Sequence, residues 1–258
     1  MSISALWSFT TRIKQLNNTD RAAAMGFLGW RGSTARPLQT SLVGRSVGFD
    51  ATERWAGGDG VTVGLRYCPD TSAAEWIVRS STPAMQLIAF GPATFEAYAR
   101  LRFIPEPSRP GQDEADAQVP EDHPSDIAQA RRALHRLAPF TSTPQECYFC
   151  LWEGWHLDAA LPPKARGGPL VEIPHRRYAL LRGSLDDIDA WEADIGDGQR
   201  IAPPAFVWPA DHRWCLASDV DPHWAGIGAS RAAIDALVSD PQLDVVPAWS
   251  EGSQPEYR

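Results

Sequence analysis

The chain reads as an α+β protein: a mainly antiparallel sheet, or sheets, with helices packed on one side. Three observations predict this class. Short apolar runs come in hairpin-like pairs, such as residues 214–220 followed by 224–227, with no alternating βαβ rhythm. Two segments carry apolar residues at helical spacing behind a serine that fits the N-cap position. These are Ile127, Ala130, Leu134 and Leu137 behind Ser125, and Ala233, Ile234, Leu237 and Val238 behind Ser230. Finally, 43% hydrophobic and 22% charged residues are the proportions of a globular protein. A chain of 258 residues suffices for one large domain or two small ones without disulfide or metal staples.

The elements follow in order. In a first half, residues 1–104, an amphipathic stretch covers 5–16. A helix is predicted from Asp20 through Ala22, Ala23 and Ala24 toward Leu28, and Gly29, Gly32 and Pro37 then break the chain. Residues 61–67 alternate as a strand. Residues 75–80 and 85–90 read as a strand pair joined through Thr82 and Pro83. Gly91 and Pro92 introduce a helix carrying Phe95, Tyr98, Ala99 and Arg102, with proline suited to its first turn. Residues 105–124, PEPSRPGQDEADAQVPEDHP, hold almost no large apolar side chain. They cannot bury enough surface to offset their ordering entropy, and read as an acidic linker or long exposed loop.

The second half, residues 125–249, is richer in signal. Pro139 ends the helix behind Ser125. Strands are predicted at 147–152 and 177–181. Ser184 and Asp187 have capping-box spacing and open a helix with Leu185, Ile188 and Trp191. An extended piece at 206–208 precedes the strands at 214–220 and 224–227, the helix behind Ser230, and a last strand at 243–246. Residues 250–258 form a polar tail expected to fray. No internal repeat of fixed period is present.

The net charge of −8 opposes binding to a phosphate backbone. The densest basic run, Arg131 and Arg132 with His135 and Arg136, lies on one predicted helix, so no nucleic-acid partner is expected. No stretch approaches the ~18 apolar residues that span a bilayer. Residues 1–14 lack the order of a signal peptide. No membrane association is expected, and a cytoplasmic location follows. Cys68, Cys147, Cys150 and Cys215 are then expected as free thiols. No cofactor fingerprint is complete, so none is expected. Gly226-Ile227-Gly228-Ala229-Ser230 beside Arg231 fits either a strand-to-helix connector or an anion-holding helix start.

Tryptophan is the anomaly: there are 11, seven of them from Trp152 onward. They serve either as core with polar edges or as an aromatic surface. In the second case, Glu153, Trp155, Trp208, Asp211, Trp214 and Trp224 are the binding candidates, grouped at strand ends around Glu153-Gly154-Trp155 and Pro209-Ala210-Asp211. A catalytic alternative uses Asp219, Asp221 and His223. Their alternation puts them on one face of an extended strand for acid–base chemistry, although Asp221-Pro222 is also a turn signal. A metal alternative joins Cys147-x-x-Cys150 to His212-x-x-Cys215, four residues of zinc-ligating type. Against it, residues three apart on a strand point to opposite faces, and cysteine also serves as a small buried hydrophobe.

The stretches FGPATFEAYARLRFIPEP, ECYFCLWEGW, PHRRYALLRG and FVWPADHRWCLASDVDPHWAGIG resemble a group of actinobacterial hypothetical proteins, from Phe90 onward. That resemblance implies no activity. In style, being acidic, tryptophan-rich and α+β, the second half is similar to SMI1/KNR4-type immunity proteins. The resulting expectation is a non-catalytic protein that binds a protein partner in an immunity-like or regulatory role. A hydrolase built on the Asp/His cluster and a zinc-stabilised module are the alternatives.

Overall fold

The computed structural model describes residues 64–155, 167–196, 201–220 and 222–258. All of them belong to the unit Thr52–Arg258, one of two into which the chain divides. The expectations for residues 1–63 lie outside the described residues. The fold is α+β, with nine described strands in one antiparallel sheet. They are β1 (Arg66–Tyr67), β2 (Ala97–Arg102), β3 (Cys147–Trp152), β4 (Val171–Ile173), β5 (Arg176–Gly183), β6 (Phe206–Pro209), β7 (Cys215–Ala217), β8 (Trp224–Ala229) and β9 (Val245–Ala248). The order across the sheet is β1-β5-β3-β6-β7-β8-β2-β9, with β4 also on β5. Five described α-helices accompany it: α1 (Glu75–Val78), α2 (Ala84–Phe90), α3 (Asp126–Leu137), α4 (Trp191–Asp194) and α5 (Arg231–Val238).

Strict alternation builds two cores from one sheet. Along β3, Cys147, Phe149 and Leu151 join one cluster, while Tyr148, Cys150 and Trp152 join another. The same split divides Ala179 and Leu181 from Tyr178 and Leu180 on β5, and Val207 from Phe206 and Trp208 on β6. The first face is covered by the two longest helices. α3 presents Ile127, Ala130, Leu134 and Leu137, and α5 presents Ala233, Ile234 and Leu237. Both are capped as the sequence predicts. Ser125 Oγ accepts from the Ala128 amide at 3.4 Å, and Ser230 Oγ from the Ala233 amide at 3.3 Å. The Asp187 carboxylate accepts from the Ser184 amide at 2.7 Å, and the 3-10 turn Leu185–Ala190 follows, leading into α4.

The second face is covered by α1 and α2, which bring Ile77, Leu87 and Ile88 onto Cys150, Phe206 and Trp208. Here the structure departs from expectation. Residues 75–80 and 85–90 are helical, not a strand pair. Pro83 sits at the start of α2 with φ −51° and ψ 138°, and the following Ala-Met-Gln-Leu favours helix. A short apolar run does not by itself separate a buried helix from a strand. Conversely, the helix expected after Pro92 is the strand β2. Ala97, Ala99 and Leu101 bury on the first face, while Tyr98, Arg100 and Arg102 alternate with them.

β2 also decides how the halves relate. It pairs with β8 in register Ala97↔Ala229 and with β9 in register Tyr98↔Ala248. β1 and β2, which precede the acidic segment, therefore share the sheet with the strands that follow it. Residues 105–124 are a loop that leaves and re-enters one sheet. The loop is mostly exposed, with Gln112 as its buried anchor. The final segment, expected to fray, is held instead: the Tyr257 hydroxyl donates to the Pro105 carbonyl at 2.5 Å, and the Arg258 amide to the Gln112 carbonyl at 2.9 Å.

Gly226 and Gly228 lie on the second face of β8. A Cβ at Gly226 would overlap the Ala89 carbonyl oxygen and Phe90, and one at Gly228 the Phe95 ring. These glycines let α2 and the Phe95 loop approach the strand. Gly226→Ala should therefore lower stability by ~2–3 kcal/mol through overpacking against backbone. Urea unfolding followed by far-UV circular dichroism measures this, and an unchanged midpoint would refute the role.

Candidate functional site

The predicted aromatic surface is interior. Trp208 and Trp214 are fully buried, on opposite faces of the sheet, and Trp224 is buried beside Phe90. Their indole N–H groups have no hydrogen-bond partner among the described residues, whereas the buried Trp191 donates to the Ala202 carbonyl at 2.9 Å. On the second face the rings form a continuous series. Tyr148 stacks on Trp208 at 5.6 Å, Trp208 meets Trp76 at 6.1 Å, and Trp76 meets Phe95 at 6.2 Å. Phe95, Tyr98, Phe90 and Trp224 continue it. Edge-to-face pairs of this kind hold a core together. Glu153 lies at the surface, paired with Arg177 at 2.6 Å. The Trp155 side chain lies outside what is described.

Asp211 organises a turn. Burial alone would raise its pKa, but the Ser142 amide, the Thr141 and Ser142 hydroxyls and the Arg213 amide all donate to its carboxylate and hold it below its ordinary value. It thereby ties the loop after α3 to the β6–β7 turn. Its neighbour His212 has φ 53° and stacks on Trp76 at 4.4 Å. Burial lowers the imidazole pKa, against a smaller upward pull from Asp211.

Of the catalytic candidates, Asp219 and His223 are described, and both are largely enclosed. Asp219 is only 8% exposed, and both its oxygens bind the Arg176 guanidinium, at 3.0 and 2.9 Å. Arg176 in turn sits over the Trp152 ring at 5.3 Å. This bidentate pair at the β4–β5 hairpin is structural in form and engages both carboxylate oxygens. His223 is 2% exposed, and Asp221 lies outside the described residues. The four zinc candidates are divided by the sheet: Cys147 is on the first face, Cys150 and Cys215 on the second. Among the described residues no group of three or more His, Cys, Asp or Glu has metal-holding geometry. All four cysteines are free. Burial, with weaker contributions from Asp211 and nearby acids, pushes the Cys147 thiol up to about 12. It also pushes Cys150 and Cys215 well above the ordinary range.

The basic face of α3 is internally matched. Arg131 pairs with Glu192 and Asp189, His135 with Asp189 at 2.8 Å, and Arg136 with Asp240 at 3.3 Å. Arg132 donates to the Gln242 carbonyl at 2.8 Å. The glycine segment ending at Ser230 is strand β8, and the amide that opens α5, on Arg231, donates to the chain's own Glu96 carboxylate at 3.1 Å. No helix among the described residues is long and apolar enough to cross a membrane.

Two features were not singled out from the sequence. A cleft of about 590 Å³ opens at the β1–β5 edge, lined by Arg66, Cys68, Gln145, Arg182 and Asp187 among others. Arg66 and Arg182 face each other in register, but Arg182 is paired with Glu146 at 2.9 Å and Asp187 is engaged by Ser184. Burial raises the Cys68 thiol, so the cleft holds no activated nucleophile. The second feature is the exposed apolar surface. Trp249 is 78% exposed and Met85 65%. They flank the hydrogen bond from Gln86 to Ser250 at 2.9 Å, which brings the start of α2 to the end of β9. The sequence signal for Trp249 is its place just after the last strand, followed by Ser-Glu-Gly.

No family model, curated protein or solved structure matches the chain.

Two measurements follow from the titratable groups. A carboxyl whose folded pKa is depressed stabilises the fold above its unfolded pKa, near 3.8, and loses that contribution as pH falls through the folded value. Wild type should therefore exceed Asp211→Asn in urea midpoint at pH 6, and the gap should narrow below about pH 4. A pH-independent gap would contradict this. An aromatic disulfide reagent at pH 8 should label only Cys68 in the native state, because the other three thiols are buried and protonated. Labelling of Cys68→Ser before unfolding would overturn that assignment.

Proposed function

We propose that this chain is a non-catalytic protein that binds a protein partner, in an immunity-like or regulatory role in the cytoplasm. The observation that carries the reading is the pair Trp249 and Met85. An indole left 78% exposed and a methionine left 65% exposed, each next in sequence to a partner of the Gln86–Ser250 hydrogen bond, are side chains of the kind enriched at protein interfaces. The binding surface thus moves from the indoles at 208, 214 and 224, which fill the core, to the one that follows β9. The excess of acidic over basic residues, 32 against 24, favours a partner of basic character and speeds its approach. The engagement of Asp219 by Arg176 and the matched cations of α3 weigh against hydrolase and nucleic-acid readings.

Quantitative affinity capture from the native cytosol, comparing wild type with Trp249→Ala, tests the proposal. A partner held by wild type should be reduced at least ~10-fold with the variant, the loss expected for a hot-spot indole. Thermal melting should stay unchanged, since the side chain is exposed. Equal capture by both proteins, or no specific partner, would sink it.

A further inference from the structure

Residues 249–258 form no helix or strand, yet they are attached to the body of the protein at defined points. Ser250 receives the Gln86 amide at 2.9 Å. The Tyr257 hydroxyl reaches the Pro105 carbonyl, and the Tyr257 ring meets the His223 imidazole edge-to-face with centroids 4.8 Å apart. The Arg258 amide donates to the Gln112 carbonyl. Gln112 is itself buried and held by Ser108, whose amide and hydroxyl donate to its side-chain oxygen at 2.7 and 2.9 Å. The receiving surface is thus assembled from three separate parts of the chain: α2, the start of the acidic loop, and the residue before β8. It offers two backbone carbonyls and an imidazole edge, which suit an extended strand with an aromatic side chain. Arg100, 6% exposed, is linked to the residues next to this surface. Its Nη2 pairs with Glu106 at 2.6 Å and its guanidinium covers the Trp224 ring at 5.5 Å, but its Nε and Nη1 have no partner. Two buried donors therefore stay unanswered with this segment in place, and an incoming acceptor would satisfy them.

We infer that this surface is a docking site for an extended peptide segment of the partner, which the chain fills with its own residues 249–258. The occupant that fits is a strand with an aromatic residue in the place of Tyr257. This inference rests on the partner-binding reading and adds where and how the partner engages. The resident segment has few anchors, since Tyr257 is half-buried between the exposed Glu256 and Arg258, which leaves it open to exchange. Covalent attachment gives it an effective concentration in the millimolar range, which an untethered competitor must overcome.

The test uses the full chain and a fluorescein-labelled peptide of residues 250–258, which omits Trp249. Fluorescence anisotropy should show binding to Tyr257→Ala at least ~10-fold tighter than to the unsubstituted chain, because the resident segment has lost its anchor. A peptide with alanine in place of the tyrosine should fail to bind either chain. Equal affinity for both chains, equal affinity of both peptides, or no binding at all would overturn the docking site. None of these outcomes touches the Trp249-dependent capture, so the inference can fail while the partner-binding reading stands. Loss of that capture with peptide binding intact would be the opposite case.

Discussion

The constraint that shapes this protein is burial of both faces of its central strands. A strand covered on one side alternates apolar with polar. β3, β5, β6 and β7 are apolar on both sides, so each residue must suit a different neighbour above and below the sheet. The long amphipathic helices α3 and α5 cover one face. The other is covered by two short helices that cannot seal it alone, and aromatic rings fill the remainder. The buried tryptophans at 191, 208, 214 and 224 are thus a packing solution. Large flat side chains span the space that α1 and α2 leave open, and the glycines of β8 let α2 and the Phe95 loop settle against the strand.

This double burial also accounts for which parts were legible in advance. α3 and α5 were readable because each has a serine cap and one apolar stripe. β3, β5 and β8 were readable as apolar runs between turn signals. Among the described residues, helix and strand were exchanged between residues 75 and 102. There the apolar run Met85–Phe90 carries no usable period, and Pro92 draws attention away from the alternation Ala97, Ala99, Leu101. The site was less legible than the fold. Asp211 resembles a ligand until its four donors are known, and Asp219 resembles a base until Arg176 is found on it. Each partner is distant in sequence, so no local pattern announces it.

The polar groups tell a consistent story. Carboxylates and guanidiniums that look available in the sequence are, in the folded chain, mostly engaged with one another or with backbone amides. The basic stripe of α3 meets the acidic 3-10 turn that precedes α4, and Glu96 answers the first amide of α5. The thiols of Cys147, Cys150 and Cys215 lie buried and protonated. The most exposed large apolar side chains among the described residues are peripheral: the indole of Trp249 and Met85.

The placement of β2 has a consequence for how the protein is made. Its two sheet neighbours, β8 and β9, are the last strands in the chain. During synthesis at 5–20 residues per second, β2 waits on the order of 10 s for β8 to leave the ribosome. Throughout that interval a strand with Ala97, Ala99 and Leu101 on one side has neither edge satisfied. Such a topology has high contact order, which slows folding and exposes a sticky edge to other nascent chains. Arg100 and Arg102, placed on the opposite side of that strand, give it the charge that discourages such encounters until its own neighbours arrive.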